Sequence, residues 1–184
     1  SLALAYGVEY PAATSGMILR GVFLSRKHEL EWFLNDVDQF FPELHANLIK
    51  HKPYINKANL VQSYIDLVFS DDQDEAKKAA VMWNTFEGSI LKMLPNVFQG
   101  TASDDVDLDF ELARARVQLH YIKHDCFMDG KAILKKLSLL KDKPVIIVQG
   151  RYDMVCPPKT AYEVAQLLPQ SDLIMVPDAG HSAS

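Results

Sequence analysis

The chain has 184 residues, of which 48% are hydrophobic, 23% charged and 10% aromatic. Those are the proportions of an ordinary globular domain and exclude a collagenous, disordered or disulfide-knit chain. Nineteen Lys and Arg against twenty-four Asp and Glu leave a formal charge of −5, and without a basic stripe that balance argues against nucleic acid as a partner. No apolar run approaches the ~20 residues that a membrane span needs. The two cysteines, Cys126 and Cys156, are too few for a disulfide framework and predict a reducing, cytoplasmic setting.

Residues 2–9 are apolar and helix-compatible, and Tyr10-Pro11 closes them, because proline cannot continue a helix and restricts the residue before it. Met17–Leu24, bounded by Ser15-Gly16, is short, apolar and rich in branched residues, and reads as a buried strand. From His28 to about Ile133 the pattern becomes amphipathic. Stretches over His28–Phe41, Ile55–Phe69, Glu75–Met93 and Leu108–Ile122 are separated by Pro42, Pro53, the acidic Asp71–Glu75 and a loop at Gly100–Asp105, which predicts an all-helical block. Pro144–Gln149 then reads as a strand ending on Gly150, Lys159–Leu168 as a helix, and Asp172–Val176 as a strand ending on Pro177-Asp178-Ala179-Gly180. Strand, helix and strand with tight connections make a βαβ unit and a parallel pair.

The predicted fold class is α/β. Residues 1–27 supply a helix and one strand of a parallel sheet, 28–135 a helical cap inserted into it, and 136–184 the remaining strands. Three strands are fewer than the five or so usual in such a sheet. The chain also opens on Ser1-Leu2-Ala3-Leu4 without an initiator methionine. It is therefore expected to be part of a longer protein, with an open sheet edge through which it self-associates.

The chemistry lies at the strand ends, where parallel sheets place their ligands. Gly150-Arg151-Tyr152-Asp153 follows one strand and Asp178-Ala179-Gly180-His181 the next. Adjacent strands are ~4.8 Å apart, so Asp153 and His181 on neighbouring loops are within reach of a hydrogen bond. An aspartate so placed holds the imidazole in one tautomer and stabilises the imidazolium formed when the histidine takes a nucleophile's proton. A solvated loop Asp or His is the commoner case; two of them on consecutive post-strand loops, each near a glycine, favour catalysis. Nucleophile, Asp, His is the order of the α/β-hydrolases, yet no G-x-S-x-G occurs here, and Ser15, Ser25, Ser63, Ser70 and Ser89 lack the elbow. The nucleophilic serine is expected a few residues before Ser1.

Several segments resemble the proline iminopeptidases, serine peptidases of the α/β-hydrolase fold. They include Leu19-Arg20-Gly21-Val22-Phe23, Arg26-Lys27-x-Glu29-Leu30-x-Trp32-Phe33, Trp83-x-x-Phe86-Glu87, Ala115-Arg116-x-x-x-His120-Tyr121, Val148-Gln149-Gly150-Arg151-Tyr152-Asp153-x-Val155-Cys156-Pro157 and Pro177-Asp178-Ala179-Gly180-His181-Ser182. The resemblance runs from Ser1 to Ser184. It implies release of N-terminal proline from small peptides through an acyl-enzyme, with Asp153 and His181 as catalytic residues and no cofactor. It also implies that Glu87 binds the substrate's amino terminus, since an acid suits an ammonium through charge-assisted hydrogen bonds. The family's second such carboxylate falls on Gln118, where this chain offers an uncharged hydrogen-bond acceptor. Phe23, Phe33, Ile122 and Cys156 fall on positions that wall the proline pocket, with Ile122 in place of an aromatic residue. The departure at Gln118 keeps an esterase or amidase of relaxed amine selectivity as a rival, and a non-catalytic piece that only packs as another.

Other clusters carry less. His120 and His124 have the i, i+4 spacing of a metal pair, but Tyr121 stands where a zincin needs glutamate and no third ligand follows, so no metal is expected. The acidic runs Asp71–Glu75 and Asp104–Glu111 read as solvated faces and helix starts. Trp32, Phe33, Trp83 and Phe86 at helical spacing read as packing.

Overall fold

The computed structural model describes residues 2–91 and 106–182. Helix α1 (Leu2–Glu9) leads to strand β1 (Met17–Arg20), followed by α2 (Lys27–Leu34), α3 (Pro42–Lys50), α4 (Leu60–Val68), α5 (Gln73–Ile90), α6 (Leu108–Lys123), α7 (Gly130–Lys136), β2 (Val145–Gly150), α8 (Pro158–Leu167) and β3 (Ser171–Val176). These fall into two compact units. The sheet unit holds residues 2–33, 91 and 128–182, and the helical unit Leu34–Ile90 and 106–127.

In the sheet unit the strands run in the order β1-β2-β3. Both pairings are parallel, with Leu19 opposite Ile147 and Ile147 opposite Leu173. The period of two in a strand puts Leu19, Val145 and Ile147 on one face. There they are buried with Leu4 and Val8 of α1, Leu137, and Ala161 and Val164 of α8. Helices cover only that face of the described sheet. Ile18 and Ile174 on the other are 78% and 49% exposed. Met17–Leu24, expected as a buried strand, is therefore shorter and one-sided. Strand β1 stops at Arg20 because Gly21 turns the chain with φ of 55°, a conformation glycine adopts without steric cost. The apolar residues on both faces are those of a parallel strand meant for burial on both sides, and β1 and β3 are the outer strands of the described sheet.

The helical segment expected over 28–135 is trimmed at both ends. Helix α2 belongs mainly to the sheet unit: buried Glu29 hydrogen-bonds Arg26 and Thr160, and the Trp32 indole donates to the Met154 carbonyl. Helix α7 does too, because Ile133 sits in the sheet core. Gly130, which begins α7, lies so close under Leu24 that a Cβ there would overlap the Leu24 carbonyl oxygen.

In the helical unit the stretch expected as one helix over His28–Phe41 breaks after Leu34 into a 3-10 turn, Asp36–Gln39. Pro42, expected as a separator, is the first residue of α3, where its missing N–H has no intrahelical partner to lose. Helix α4 starts at Leu60 and not Ile55, since the Asn56 and Asn59 side chains bond the backbone of Ala58 and Asn56 in a turn. Side chains that compete in this way for backbone groups favour turns over helix. The core is built on Trp83 and Tyr64, both fully buried with rings 5.5 Å apart, and the Tyr64 hydroxyl donates to the Leu48 carbonyl. Burial pushes the Tyr64 phenol above its ordinary range. The expected loop at Gly100–Asp105 and the end of the Glu75–Met93 stretch lie outside the described residues. Among the described residues no helix is long and apolar enough to cross a membrane.

Candidate active site

The carboxyl ends of all three strands build one site in the sheet unit. Gly150 closes β2, and a Cβ there would overlap the Gly180 carbonyl oxygen, so only glycine lets the loop after β3 lie across it. That loop is tied to the one after β2 by hydrogen bonds from the Arg151 N–H to the Val176 carbonyl at 2.9 Å and from the Tyr152 N–H to the Ala179 carbonyl at 3.0 Å. The Ser182 N–H donates to the Leu91 carbonyl at 2.9 Å, fixing the chain just past His181. Gly21, after β1, lies against the imidazole: a Cβ there would stand 2.8 Å from His181 Cε1.

These constraints bring Asp153 and His181 together, with His181 Nδ1 2.9 Å from Asp153 Oδ2. Asp153 is 2% exposed, and both its oxygens are saturated. Oδ1 accepts from the backbone N–H of Val155 and Cys156 at 3.0 and 2.7 Å. Oδ2 accepts from His181 and from Gln149 Nε2 at 3.0 Å. The carboxylate is thus aimed by four donors. Because it can only accept, it places the ring proton on Nδ1 and leaves Nε2, across the ring, to take a proton from another group.

Gln149 was not among the residues expected at the site. Its side chain accepts from the Val22 N–H at 3.3 Å and donates to the Cys156 carbonyl at 3.0 Å as well as to Asp153. It therefore links the segments after β1 and β2. The signal in the sequence was a polar residue in register with Val145 and Ile147 at a core-facing position. Gln149→Leu is expected to lower stability by about 1–3 kcal/mol, because the Val22 N–H and the buried Asp153 carboxylate each lose a hydrogen bond. Urea unfolding measures this, and a variant as stable as the parent would show that these bonds contribute nothing net.

The helical unit brings together a second pair. Glu87 of α5 and Gln118 of α6 are joined by a hydrogen bond from Gln118 Nε2 to Glu87 Oε1 at 2.6 Å. The Trp83 indole donates to Gln118 Oε1 at 2.5 Å. An indole N–H only donates and a carboxylate only accepts, so the amide orientation is determined. Gln118, expected to offer an acceptor to an incoming amine, instead spends its carbonyl on Trp83 and points its NH2 at Glu87. Arg114, one turn earlier on α6 and not anticipated, donates from Nη2 to Glu87 Oε2 at 3.0 Å. Glu111 is held by Asn84 Nδ2, which bonds its carboxylate at 2.6 Å and its carbonyl at 2.9 Å.

Of the residues expected to wall a pocket, Phe23 is partly buried, and Phe33 and Cys156 are buried, all three in the sheet unit. Ile122 is partly buried near the end of α6 in the helical unit. The backbone of Cys156 serves Asp153 and Gln149. The His120 and His124 rings are 4.7 Å apart, with Phe127 stacked on His124. Among the described residues no three His, Cys, Asp or Glu form a set that could hold a metal ion.

The whole chain, residues 1–184, matches the family model of the alpha/beta hydrolase fold. It is 35% identical to a probable proline iminopeptidase of Leptolyngbya boryana over 99% of this chain and 57% of that protein. It is 33% identical to a proline iminopeptidase of Xanthomonas citri over 100% of this chain and 58% of that one. An alpha/beta fold family hydrolase from Bacillus anthracis str. Sterne matches its fold with a TM-score of 0.52 at 19% identity, covering 98% of this chain and 56% of that structure. The chain thus spans a little over half the length of the relatives it matches. A parallel sheet carrying an aspartate after one strand and a histidine after the next, interrupted by helices and matched by the family model from end to end, makes this chain a member of the alpha/beta-hydrolase fold family.

Proposed function

We propose that the protein containing this chain is a serine aminopeptidase that releases proline from the amino terminus of small peptides. The observation that carries the reading is the 2.9 Å contact between His181 Nδ1 and the buried, four-donor carboxylate of Asp153. Its support is the similarity to proline iminopeptidases along the whole chain. In this reading a serine outside these 184 residues supplies the nucleophile. His181 Nε2 takes the hydroxyl proton as the serine oxygen attacks the carbonyl carbon of the amino-terminal proline. The imidazolium formed is stabilised by Asp153 and returns its proton to the leaving amine, giving a prolyl-enzyme. Water, activated by the same imidazole, then releases proline. Glu87 takes the ammonium of the substrate, and Phe23, Phe33, Ile122 and Cys156 take its ring. The setting is cytoplasmic, no cofactor takes part, and the open strands of the sheet are where the protein self-associates.

The test is the kcat/KM of the full-length protein for proline anilide and for N-acetylproline anilide. Hydrolysis of the free-amine substrate is expected, with discrimination against the acetylated one that Glu87→Gln reduces about tenfold or more, the worth of one charge-assisted hydrogen bond. Absence of proline anilide hydrolysis would reject the peptidase reading. One observation favours a second reading, an esterase or amidase of relaxed amine selectivity: both oxygens of Glu87 already have partners, Arg114 and Gln118. Equal rates on the free and acetylated substrates would select it.

A further inference from the structure

We propose that Arg114 is a specificity-determining residue, whose guanidinium competes with the substrate's ammonium for Glu87 and so weakens selection for a free amino terminus. The inference rests on the reading of Glu87 as the amine-binding residue.

Glu87 is a poor receptor for an ammonium as it stands. Its side chain is 16% exposed, and each oxygen already carries one donor: Oε2 the Arg114 Nη2 contact at 3.0 Å and Oε1 the Gln118 amide at 2.6 Å. The Arg114 guanidinium already offsets the charge of the carboxylate, so an incoming ammonium gains a full charge-assisted bond by displacing one of these donors. Gln118 is the harder to move, since its carbonyl is anchored by the indole of Trp83, which is fully buried. Arg114 is the looser partner, with a side chain 37% exposed and its other nitrogen, Nη1, 3.8 Å from Glu111 Oε2. Glu111 in turn is fastened by Asn84, so it stays beside Arg114 and does not swing across to supply a second charge to Glu87. The exchange therefore runs along one coordinate. Arg114 leaves Glu87 and keeps Glu111 as its counter-ion, and the ammonium replaces it with little change of charge at the carboxylate. A competing cation that must be displaced raises the apparent dissociation constant for the amine without touching the acyl-transfer step, so its signature is in KM.

The experiment compares the full-length parent, Arg114→Met, Arg114→Lys and Glu87→Gln on proline anilide and N-acetylproline anilide. Arg114→Met keeps an unbranched stem of similar bulk and removes the guanidinium charge. It is expected to lower KM for the free amine about tenfold, the worth of a charge-assisted contact, with kcat and the acetylated substrate within twofold of the parent. Arg114→Lys restores a cation and is expected to return KM to the parent value, which a purely structural role would not require. If Glu87→Gln collapses the preference for the free amine while Arg114→Met leaves KM unchanged, the competition is overturned and Glu87 keeps its role. If Glu87→Gln itself leaves the preference unchanged, the amine site lies elsewhere and the inference falls with it.

Discussion

His181→Ala in the full-length protein is expected to lower kcat for proline anilide about ten-thousandfold, with the fold intact. The magnitude follows from loss of the group that takes and returns the proton, since the remaining binding and polarising groups give only residual catalysis. Asp153 keeps its three other donors when the ring is removed, and the His181 side chain, 26% exposed, borders solvent. Asp153→Asn is expected to cost a similar factor but is a less clean test. Each Asp153 oxygen receives two N–H donors, Val155 and Cys156 on one, Gln149 and His181 on the other. An asparagine NH2 must therefore face two donors whichever way it turns. If it turns toward His181 it forces the proton onto Nε2, the wrong tautomer for a general base. If it turns away it opposes two backbone N–H groups in the interior. Circular dichroism and thermal melting on the same samples separate lost chemistry from lost structure. A His181→Ala variant that keeps activity within tenfold of the parent would remove the general-base role.

The Asp153–His181 dyad was legible in the sequence because its parts are local. Each residue follows a short apolar run and lies near a glycine, and strand ends in a parallel sheet are neighbours by construction. What fastens the dyad was less legible. Gln149 reads as the last residue of a strand until its register with Val145 and Ile147 shows that it faces the core. Gly21 reads as a turn residue, and its closeness to His181 depends on β1 and β3 both flanking β2, which no local pattern encodes. The pairing of Arg114 with Glu87 is a contact between α5 and α6. Helical spacing reveals that Arg114 and Gln118 share a face, but not what stands opposite. The division between the two units is set by the same kind of long-range contact. Helices α2 and α7 are amphipathic like their neighbours, and only their partners in the sheet unit tell them apart.

Glu29→Ala is expected to destabilise the protein by about 3–5 kcal/mol, the cost of stranding a buried partner charge. Arg26 and Glu29 are both buried in the sheet unit, with Arg26 Nη2 3.2 Å from Glu29 Oε1. Glu29 Oε1 also accepts from the Thr160 hydroxyl at 2.5 Å, and Oε2 accepts from the Arg26 backbone N–H at 2.8 Å, the return half of a capping box at the start of α2. Removing the carboxylate leaves Arg26 with the half-exposed Glu163, 2.7 Å from Nη1, as its remaining counter-ion, and frees an N–H at the helix start. Burial pushes the Glu29 carboxyl up, but the hydrogen bonds from Arg26 and Thr160 and the charge of Arg26 outweigh it and hold the group below the ordinary glutamate range. The sign follows: a folded-state value below the unfolded one, about 4.3, gives stability that is complete above that pH and is lost as pH falls through the folded value. The parent is therefore expected to lose stability in acid below about pH 4, and Glu29→Gln to lose less over the same interval while starting from a lower plateau. Urea unfolding of both at pH 7 and at successively lower pH measures the two effects separately. Arg26→Met with Glu29→Leu removes both charges and is expected to recover part of the loss, since a buried pair replaced by apolar groups is often no less stable. A Glu29→Ala loss below 1 kcal/mol at pH 7 would mean that water reaches Arg26 readily and that the pair is not what secures α2 to α8.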